Sequence, residues 1–263
     1  MDWVNLESTA YTIAFVGSFL ALAVWESWRP LRTPSQSTER RWVSHGILFA
    51  GSVAIQTIFL RTSPLIVAMA VANQPWGLLN RSWLAWPARI LAAILLLDLV
   101  HYATHRLFHS FRVLWRVHEV HHSDPDYDVS TAARFHPIEV VGSKGLYIAA
   151  VAVLAPPPAA VFLNEVHTTL LNTLVHANVA LPPRLESVVK MVFITPGLHR
   201  IHHSTGIAEQ NCNFGQTFVW WDRLFGTYCP RPQAIGTGVT GLPEGSYNGT
   251  AALFTAPFKR RPE

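Results

Sequence analysis

Charged residues are scarce in this sequence. They make up 14% of its 263 residues, whereas hydrophobic residues make up 50%. Because soluble globular domains carry about 25% charged residues, this composition excludes an ordinary soluble domain and predicts an integral membrane protein. The 10 tryptophans agree with this prediction, since tryptophan is concentrated where a membrane protein meets the lipid headgroups.

Cysteine is almost absent. Cys212 and Cys229 are the only two, and their spacing matches neither a thiolate metal site nor a disulfide framework. The sequence also lacks a low-complexity linker and any internal repeat apart from a recurring His-x-x-His-His motif. These absences exclude a cysteine-stapled fold and a chain of separate linked modules.

A basic patch of the kind that binds nucleic acid is also missing. The net charge is +4, but the basic residues flank apolar segments, so we expect no nucleic-acid partner. Arg29, Arg32, Arg40 and Arg41 follow the first apolar run, and the positive-inside rule therefore predicts a cytoplasmic loop there. Since no basic segment precedes that run, we expect a retained membrane anchor.

Apolar runs of membrane-spanning length are abundant. Residues 9–25 and 43–60 form two of them. A third starts near Pro87, a residue type that suits the first turn of a helix, and continues into a group of histidines. Residues 140–181 hold two more apolar stretches around a Pro-Pro-Pro break, which predicts a helical hairpin in the membrane. We therefore predict an all-α integral membrane helical bundle.

The apolar runs divide the chain into three predicted regions. Residues 1–90 are expected to form N-terminal membrane anchor helices. Residues 91–230 are expected to form the catalytic region, which includes the hairpin of residues 140–181. Residues 231–263 are expected to be a cytoplasmic tail with little regular structure, because glycine and proline are frequent there.

Histidines are concentrated in three short motifs. The motifs consist of His105 and His109, then His118, His121 and His122, and finally His199, His202 and His203. Residues three or four apart share one face of a helix, so each motif presents its imidazoles side by side. Imidazole suits iron, zinc and copper, and eight imidazoles exceed the four ligands of a structural zinc site. The motifs therefore predict a site for two metal ions.

Basic residues indicate the membrane side of this site. Arg106, Arg112 and Arg116 accompany the first two motifs, so the positive-inside rule predicts that the histidines lie at the cytoplasmic end of the third span. A lipid could reach a metal site in this position directly from the bilayer.

The motifs and their surroundings resemble the fatty acid hydroxylase and sterol desaturase superfamily. The resemblance covers about residues 95–228 and includes Asp98 and Tyr102 before the first motif, Leu114-Trp115-Arg116, Arg134-Phe135-His136-Pro137, His176-Ala177-Asn178 and Trp221-Asp222-Arg223-Leu224-Phe225-Gly226-Thr227-Tyr228. It implies a membrane-bound non-haem di-iron oxygenase that hydroxylates or desaturates a lipid, such as a sterol or a fatty acyl chain. It also implies two iron ions, O2 and a separate electron donor of the ferredoxin or cytochrome b5 type.

The resemblance implies a set of metal ligands. They are His105, His109, His118, His121, His122, His176, His199, His202 and His203. The family pattern places a second histidine four residues before His176, where this chain has Asn172; the asparagine could bind weakly, hold a water or leave a gap. His101, His136, Asp98 and Glu139 are expected either to bind metal or to hold ligand histidines by hydrogen bonds.

A second hypothesis is a membrane zinc hydrolase that acts on a lipid or a peptide. His118, Glu119 and His122 match the HExxH spacing of zinc proteases, but the other histidine motifs argue against it. Zinc is also expected to replace iron in purified protein, because zinc likewise suits imidazole. Activity that needs neither O2 nor a reductant would favour the hydrolase.

Overall fold

Helices are the main secondary structure of the part of the chain that the structure describes, and no strand is present there. The structure is a computed structural model and describes residues 3–81, 83–232, 236–240, 247 and 249–259. Within these ranges, two isolated β-bridges pair Phe193 with Phe218 and Ser204 with Thr237. The predicted all-α class is confirmed.

The N-terminal half supplies the longest helices. They are α1 (Trp3–Trp28), α2 (Thr38–Leu60), α3 (Pro64–Val71), α4 (Trp86–Ser110) and α5 (Arg112–His122). A short 3-10 helix, Val129–Ala133, then precedes the predicted hairpin, whose two arms are α6 (Pro137–Leu154) and α7 (Pro158–His176).

The remaining helices are short. They are α8 (Pro183–Val189), α9 (Pro196–His202), α10 (Ile207–Gln210), α11 (Trp220–Leu224), α12 (Thr250–Thr255) and a final 3-10 turn, Ala256–Phe258. Thus the tail is more regular than the sequence predicted. Its residue Leu253 is buried against Leu48 and Val120, and this apolar contact stabilises α12. The basic end of the tail, beyond Lys259, lies outside the described residues.

Four helical segments within the described residues are long and apolar enough to cross a membrane. They are Asn5–Trp28, Thr38–Val71, Trp86–Ser110 and Pro137–Leu154. A span needs about 20 apolar residues, and these segments provide it with many apolar side chains on the outside, such as Leu20, Ile58 and Leu91. The prediction of an integral membrane bundle is confirmed.

Several helices begin at residues whose chemistry favours a helix start. Ser63 accepts a hydrogen bond from the Ile66 amide at the start of α3, and Thr195 does the same for the Leu198 amide at the start of α9. A proline follows each of these caps, where its missing N–H costs nothing. These local signals fix where α3 and the histidine-bearing α9 begin.

Helix α7 occupies the middle of the bundle. It packs against α1, α3, α4 and α9, while α6 packs against α2 and α4. Leu97, Tyr147, Val151 and Val161 form one of the buried apolar clusters that join α4, α6 and α7. This packing brings the C-terminal end of α7 next to the ends of α4 and α9.

An ion-pair network ties the loop after α1 to the histidine end of the bundle. Arg41, which is 6% exposed, binds Asp124 at 2.7 Å and Asp128 at 2.8 Å. Asp126 accepts hydrogen bonds from the Ser35 and Gln36 amides. The arginine-rich loop and the second histidine motif therefore lie at the same end of the bundle.

Candidate metal centre

One group of five histidines gathers at the junction of α4, α5 and α9. The group contains His105, His109, His118, His122 and His202, and one nitrogen from each lies within 4.8 Å of the others. His105 and His109 are one turn apart on α4, as are His118 and His122 on α5, so each pair shares one face of its helix. His202 adds a fifth nitrogen from the end of α9.

A second group of four histidines lies beside the first. It contains His121, His176, His199 and His203, all buried, and their candidate ligand atoms also lie within 4.8 Å of one another. His176 Nε2 is 3.1 Å from His121 Nε2 and 3.1 Å from His199 Nε2. Two nitrogens that bind one ion at about 2.1 Å and at a right angle lie about 3 Å apart, so these separations suit a shared ion.

Many imidazole nitrogens in the two groups are buried without a hydrogen-bond partner among the described residues. They are His105 Nε2, His109 Nε2, His118 Nε2, His121 Nδ1, His122 Nδ1 and Nε2, His199 Nδ1, His202 Nε2, and His203 Nδ1 and Nε2. Native proteins rarely leave buried polar atoms unsatisfied. A metal bond would satisfy one nitrogen of each ring, so the residues present fit a two-metal site.

Backbone carbonyls fix the protonation of two of these imidazoles. His105 Nδ1 lies 2.9 Å from the Phe214 carbonyl oxygen, and His202 Nδ1 lies 2.7 Å from the Cys212 carbonyl oxygen. A carbonyl oxygen can only accept a hydrogen bond, so each Nδ1 carries the proton and each Nε2 keeps a free lone pair. The two Nε2 atoms are therefore ready to bind metal.

Burial keeps the imidazoles outside the spans neutral. It lowers the pKa of His121, His122, His199 and His203 well below the ordinary value, and the neighbouring histidines lower it further. Burial likewise lowers the pKa of His202 to about 3. Metal ligands must be deprotonated at the binding nitrogen, so these groups need no proton loss at neutral pH before binding.

Glu139 holds one of the imidazoles in position. Its Oε1 is 2.6 Å from His118 Nδ1, and the contact is buried on both sides. A carboxylate in this position fixes the ring orientation and increases the basicity of the other nitrogen. We expect Glu139→Ala to lower metal affinity about 10- to 100-fold, measured by competition with a chelator. Glu39→Ala, at an exposed position of α2, is the control and should leave the affinity unchanged; equal affinities for the two variants would contradict this role.

Asn172 lies one helical turn before His176 and lines the same cavity. Its side-chain amide donates to the Ala132 carbonyl oxygen at 3.2 Å, and its backbone carbonyl oxygen accepts from His176 Nδ1 at 2.7 Å. Because residues four apart share a helix face, we expect Asn172→His to add a nitrogen to the four-histidine group. Slower loss of the second metal to a chelator is the expected result, and an unchanged rate would show that position 172 does not face the ion.

The other candidate residues lie outside the two histidine groups. The His101 ring stacks on Tyr147 with 4.7 Å between centroids. His136 caps α6: its Nδ1 accepts from the Ile138 amide and its Nε2 is 3.2 Å from the Phe254 carbonyl oxygen. Both nitrogens of His136 thus have partners outside the histidine groups. The structure therefore gives His101 and His136 packing and capping contacts.

Asp98 supports the site at a distance. Its carboxylate accepts from the Thr217 and Phe218 amides and from the Trp221 indole. These partners fix residues 217–221 against α4, so the described contacts of Asp98 hold this segment and include no ligand imidazole.

Asp222 is a site residue that the sequence analysis did not single out. It accepts from the Phe214 amide at 2.8 Å and the Gly215 amide at 2.8 Å, and thereby holds the carbonyl group that meets His105. Burial raises the pKa of Asp222 to about 6. The Trp-Asp-Arg motif marks Asp222 as a residue that resembles the family. Nothing in the sequence indicates which loop the Asp222 carboxylate holds.

The HExxH match at His118 does not form a protease-like site. His118 and His122 belong to a group of five histidines, whereas a catalytic zinc site uses three protein ligands. Glu119 is buried and accepts a hydrogen bond from the Tyr247 hydroxyl at 2.9 Å. This contact makes Glu119 a packing residue of the tail and argues against the hydrolase.

A cavity of about 320 Å³ opens beside the four-histidine group. Its wall includes His121, His176 and His199, and it extends between α1, α2, α4, α6 and α7 to Tyr11 and Phe49. Its volume is within the range of small-molecule sites. His105 and His118 of the first group also line it, so a substrate in this cavity would lie against both histidine groups and within reach of the bilayer.

The family model described as fatty acid hydroxylase matches residues 90–227, which is more than half of the chain and contains every histidine of the two groups. No solved structure matches the chain.

Similar curated proteins are named for lipid oxidation. The chain is 29% identical to an ornithine lipid hydroxylase of Rhizobium tropici over 95% of the chain and 76% of that protein. It is 27% identical to the alkylglycerol monooxygenase of Homo sapiens over 64% of the chain and 35% of that protein. It is 32% identical to methylsterol monooxygenase 1 of Rattus norvegicus over 55% of the chain and 48% of that protein.

Proposed function

Because this chain belongs to the fatty acid hydroxylase family, we propose that it is a membrane-bound di-iron oxygenase that hydroxylates or desaturates a lipid with O2 and external electrons. The observation that carries the proposal is the pair of adjacent groups of five and four imidazoles. The second group faces a cavity that reaches apolar side chains of the membrane helices.

Iron would be held by the five-histidine group at one position and by the four-histidine group at the other. Imidazole suits iron, and iron when bound supplies the O2 chemistry that attacks an unactivated C–H bond. The chain holds the ligands through Glu139 and the Phe214 and Cys212 carbonyls. It also excludes water, since the grouped histidines of α5 and α9 are at most 5% exposed. Zinc would occupy the same nitrogens in protein purified without iron.

The substrate is proposed to be an amphiphilic membrane lipid. The relatives are named for an ornithine lipid, an alkylglycerol and a methylsterol, each of which combines a polar group with a large apolar part. The cavity offers both kinds of surface, since Phe15 and Phe49 stack at 5.0 Å near one part of it and imidazoles line another. A lipid would enter from the bilayer between α1 and α2.

The metal centre is proposed to lie on the cytoplasmic side. Ser35 and Gln36 in the loop after α1 donate to Asp126, and Arg41 at the start of α2 pairs with Asp124. Both carboxylates follow the second histidine motif, so the arginine-rich segment and the metal centre share one end of the bundle. The positive-inside rule assigns such an end to the cytoplasm. Electrons would come from a separate ferredoxin or a cytochrome b5-type protein that docks there.

The test begins with metal analysis of protein purified without oxygen, followed by one turnover with a reductant, O2 and a membrane lipid extract. Two irons per chain and a lipid that gains one oxygen atom or loses two hydrogens are the expected results. Zinc-containing protein that cleaves a lipid or peptide without O2 would overturn the proposal. The mass of the altered lipid also identifies its class.

A further inference from the structure

A lysine and a glutamate meet inside the bundle at a distance from the histidines. Lys144 Nζ on α6 donates to Glu165 Oε1 on α7 at 2.5 Å, and the two side chains are 27% and 10% exposed. Lys144 lies within the candidate span Pro137–Leu154. Charges at such depth are costly and face a cavity or a partner, which marks them as candidate functional residues.

Carboxyl groups outnumber ammonium groups around this pair. Glu7 on α1 lies within hydrogen-bonding range of Glu165 and close to Lys144, so one ammonium group faces two carboxyl groups. Ser63 donates to Glu7 at 3.0 Å. Glu165 Oε2 is buried and receives no hydrogen bond from an N–H or an alcohol O–H of the described residues. Two carboxyl groups at this separation share a proton unless a cation takes its place, so the cluster can accept one further cationic donor in exchange for that proton.

Lys144 and Glu165 line the cavity that reaches the metal centre. On α7, the cavity wall runs from Glu165 through Thr168, Thr169 and Asn172 to His176. These positions recur every three or four residues and so form one stripe along the helix. Thr168 and Thr169 donate to backbone carbonyls of α7, and Asn172 donates to the Ala132 carbonyl. The carboxylate of Glu165 is therefore the group of this stripe that a polar part of the substrate must match, because a charge buried against an acyl chain is costly.

The cavity also has an apolar part that can hold acyl chains. Tyr11, Phe15, Phe49 and Val53 of α1 and α2 line it, and both helices lie in candidate spans. An amphiphile therefore fits with its chains between these residues and its polar part along the α7 stripe.

We propose that the Lys144–Glu165 pair is the receptor for an ammonium group in the polar part of the lipid substrate. Glu165 Oε2 accepts a hydrogen bond from the ammonium group, and Lys144 faces an oxygen acceptor on the same lipid. This inference rests on the proposed function, since it assigns the substrate of the same cavity. Amino-lipids are then the preferred substrates, and neutral lipids of the same chain length are poor ones.

The receptor also fixes which carbon is oxidised. Glu165 and His176 are eleven residues apart on one helix, which is about 16 Å at 1.5 Å per residue. A lipid anchored by its ammonium group therefore presents a carbon at a constant distance from that group. In lipids with longer acyl chains, the oxidised carbon should stay the same number of bonds from the nitrogen. An oxidised carbon that instead stays the same number of bonds from the methyl end of the chain would overturn the inference.

The first experiment compares an ornithine lipid with its N-acetylated analogue, in which the amine is neutral. A hydrogen bond to a charged group is worth about 1.5 to 3 kcal/mol, so we expect iron-loaded wild-type protein to favour the amine in kcat/KM by about tenfold or more. Equal kcat/KM values for the two lipids would overturn the inference while leaving the lipid oxygenase in place.

Two variants distinguish recognition of the ammonium group from a purely structural role of the ion pair. Both variants break the pair, but only one of them removes the carboxylate. Glu165→Gln removes the carboxylate and should bring the amine preference close to one. Lys144→Met leaves the carboxylate without its cation and should keep or increase the preference. Similar changes in both variants would indicate a structural pair and overturn the inference. Lys190→Met, in the C-cap of α8, is the control and should match wild type.

Lipid binding provides a readout that does not depend on turnover. Native mass spectrometry of the wild type and of Glu165→Gln, each with the ornithine lipid and its N-acetylated analogue, measures the preference directly. The receptor is supported if the wild type binds the amine more tightly than its N-acetylated analogue and Glu165→Gln does not. If that result is found but no lipid is oxidised, only the proposed function fails. Absence of a binding preference in the wild type overturns the receptor itself.

Discussion

Replacing His121 with alanine is expected to abolish turnover and to reduce bound metal from two ions to about one per chain. His121 is one of only four imidazoles in the second group, and its Nε2 is 3.1 Å from that of His176. Three nitrogens would remain, which is fewer than a closed four-coordinate site uses. Metal content and single-turnover product yield are the measurements.

The two groups offer an internal comparison for this prediction. His109→Ala leaves four imidazoles in the first group, so we expect it to retain more metal than His121→Ala. His167→Ala is the control, because His167 is half-buried and bonds to Thr217 and the Leu163 carbonyl outside both groups. Full metal content and turnover in His121→Ala would remove this residue from the proposed ligands.

Replacing Arg41 with methionine is expected to destabilise the protein by about 3 to 5 kcal/mol, the cost of breaking a buried ion pair. The guanidinium bonds to Asp124 through two nitrogens and to Asp128 through a third. Its loss leaves these carboxylates buried beside Asp126 without their cation. A large fall in Tm, measured in detergent or nanodiscs, is the expected result.

Two further variants test this explanation. Arg40→Met changes an exposed neighbour on the same helix and should shift Tm little. Arg41→Lys should recover only part of the loss, because an ammonium group lacks the planar fork that bridges two carboxylates. Equal Tm values for Arg41→Met and Arg40→Met would show that the network adds no stability.

The same network predicts sensitivity to acid. Burial alone would raise the pKa of the Asp124 carboxyl, but Arg41 and Arg134 beside it hold that pKa well below its usual range. The folded pKa is thus lower than the unfolded value of about 4. The stabilisation is complete above that value and is lost as the pH falls below it. The wild type should therefore lose more stability than Arg41→Met between pH about 5 and 2.

Helix positions and the histidine faces were predictable from the sequence, because they depend on local periodicity. The third span was expected to start near Pro87 and carry His105 and His109, and α4 (Trp86–Ser110) does so. Two helices, α6 and α7, lie on either side of the prolines, and they pack mainly against α2 and α1, respectively. Both features follow from hydrophobic length and from residues four apart sharing a face.

The division of the histidines between two groups also follows the helical spacing, although it was not predicted. In α5, His118 and His122 are four apart and join the first group, whereas His121 joins the second. In α9 the arrangement is reversed, because His199 and His203 join the second group and the intervening His202 joins the first. Each His-x-x-His-His motif thus contributes to both groups.

The contacts that hold the candidate ligands were not predictable, because they are long-range and often involve the backbone. The Phe214 carbonyl oxygen accepts a hydrogen bond from His105, which lies 109 residues away in the sequence. Every residue has a backbone carbonyl, so the sequence does not indicate which one would contact His105. Asp98 was a candidate partner for a histidine, yet its described bonds go to residues 217–221. A single sequence gives no information on which distant loop packs beside a given carboxylate.

The polar stripe of α7 has a consequence for how the chain is assembled during synthesis. Helix α7 is absent from the four segments that are apolar enough to cross a membrane, and it carries the buried polar residues Asn164, Glu165 and Thr173. A translocating helix with this composition has little affinity for lipid by itself. Its neighbours α1, α3 and α4 are all made earlier and cover it in the finished bundle. We therefore expect α7 to enter the bundle after these helices, connected to α6 by the short turn at residues 155–157. Shortening α1 should leave α7 outside the bilayer, together with His176 and the second metal position that depends on it.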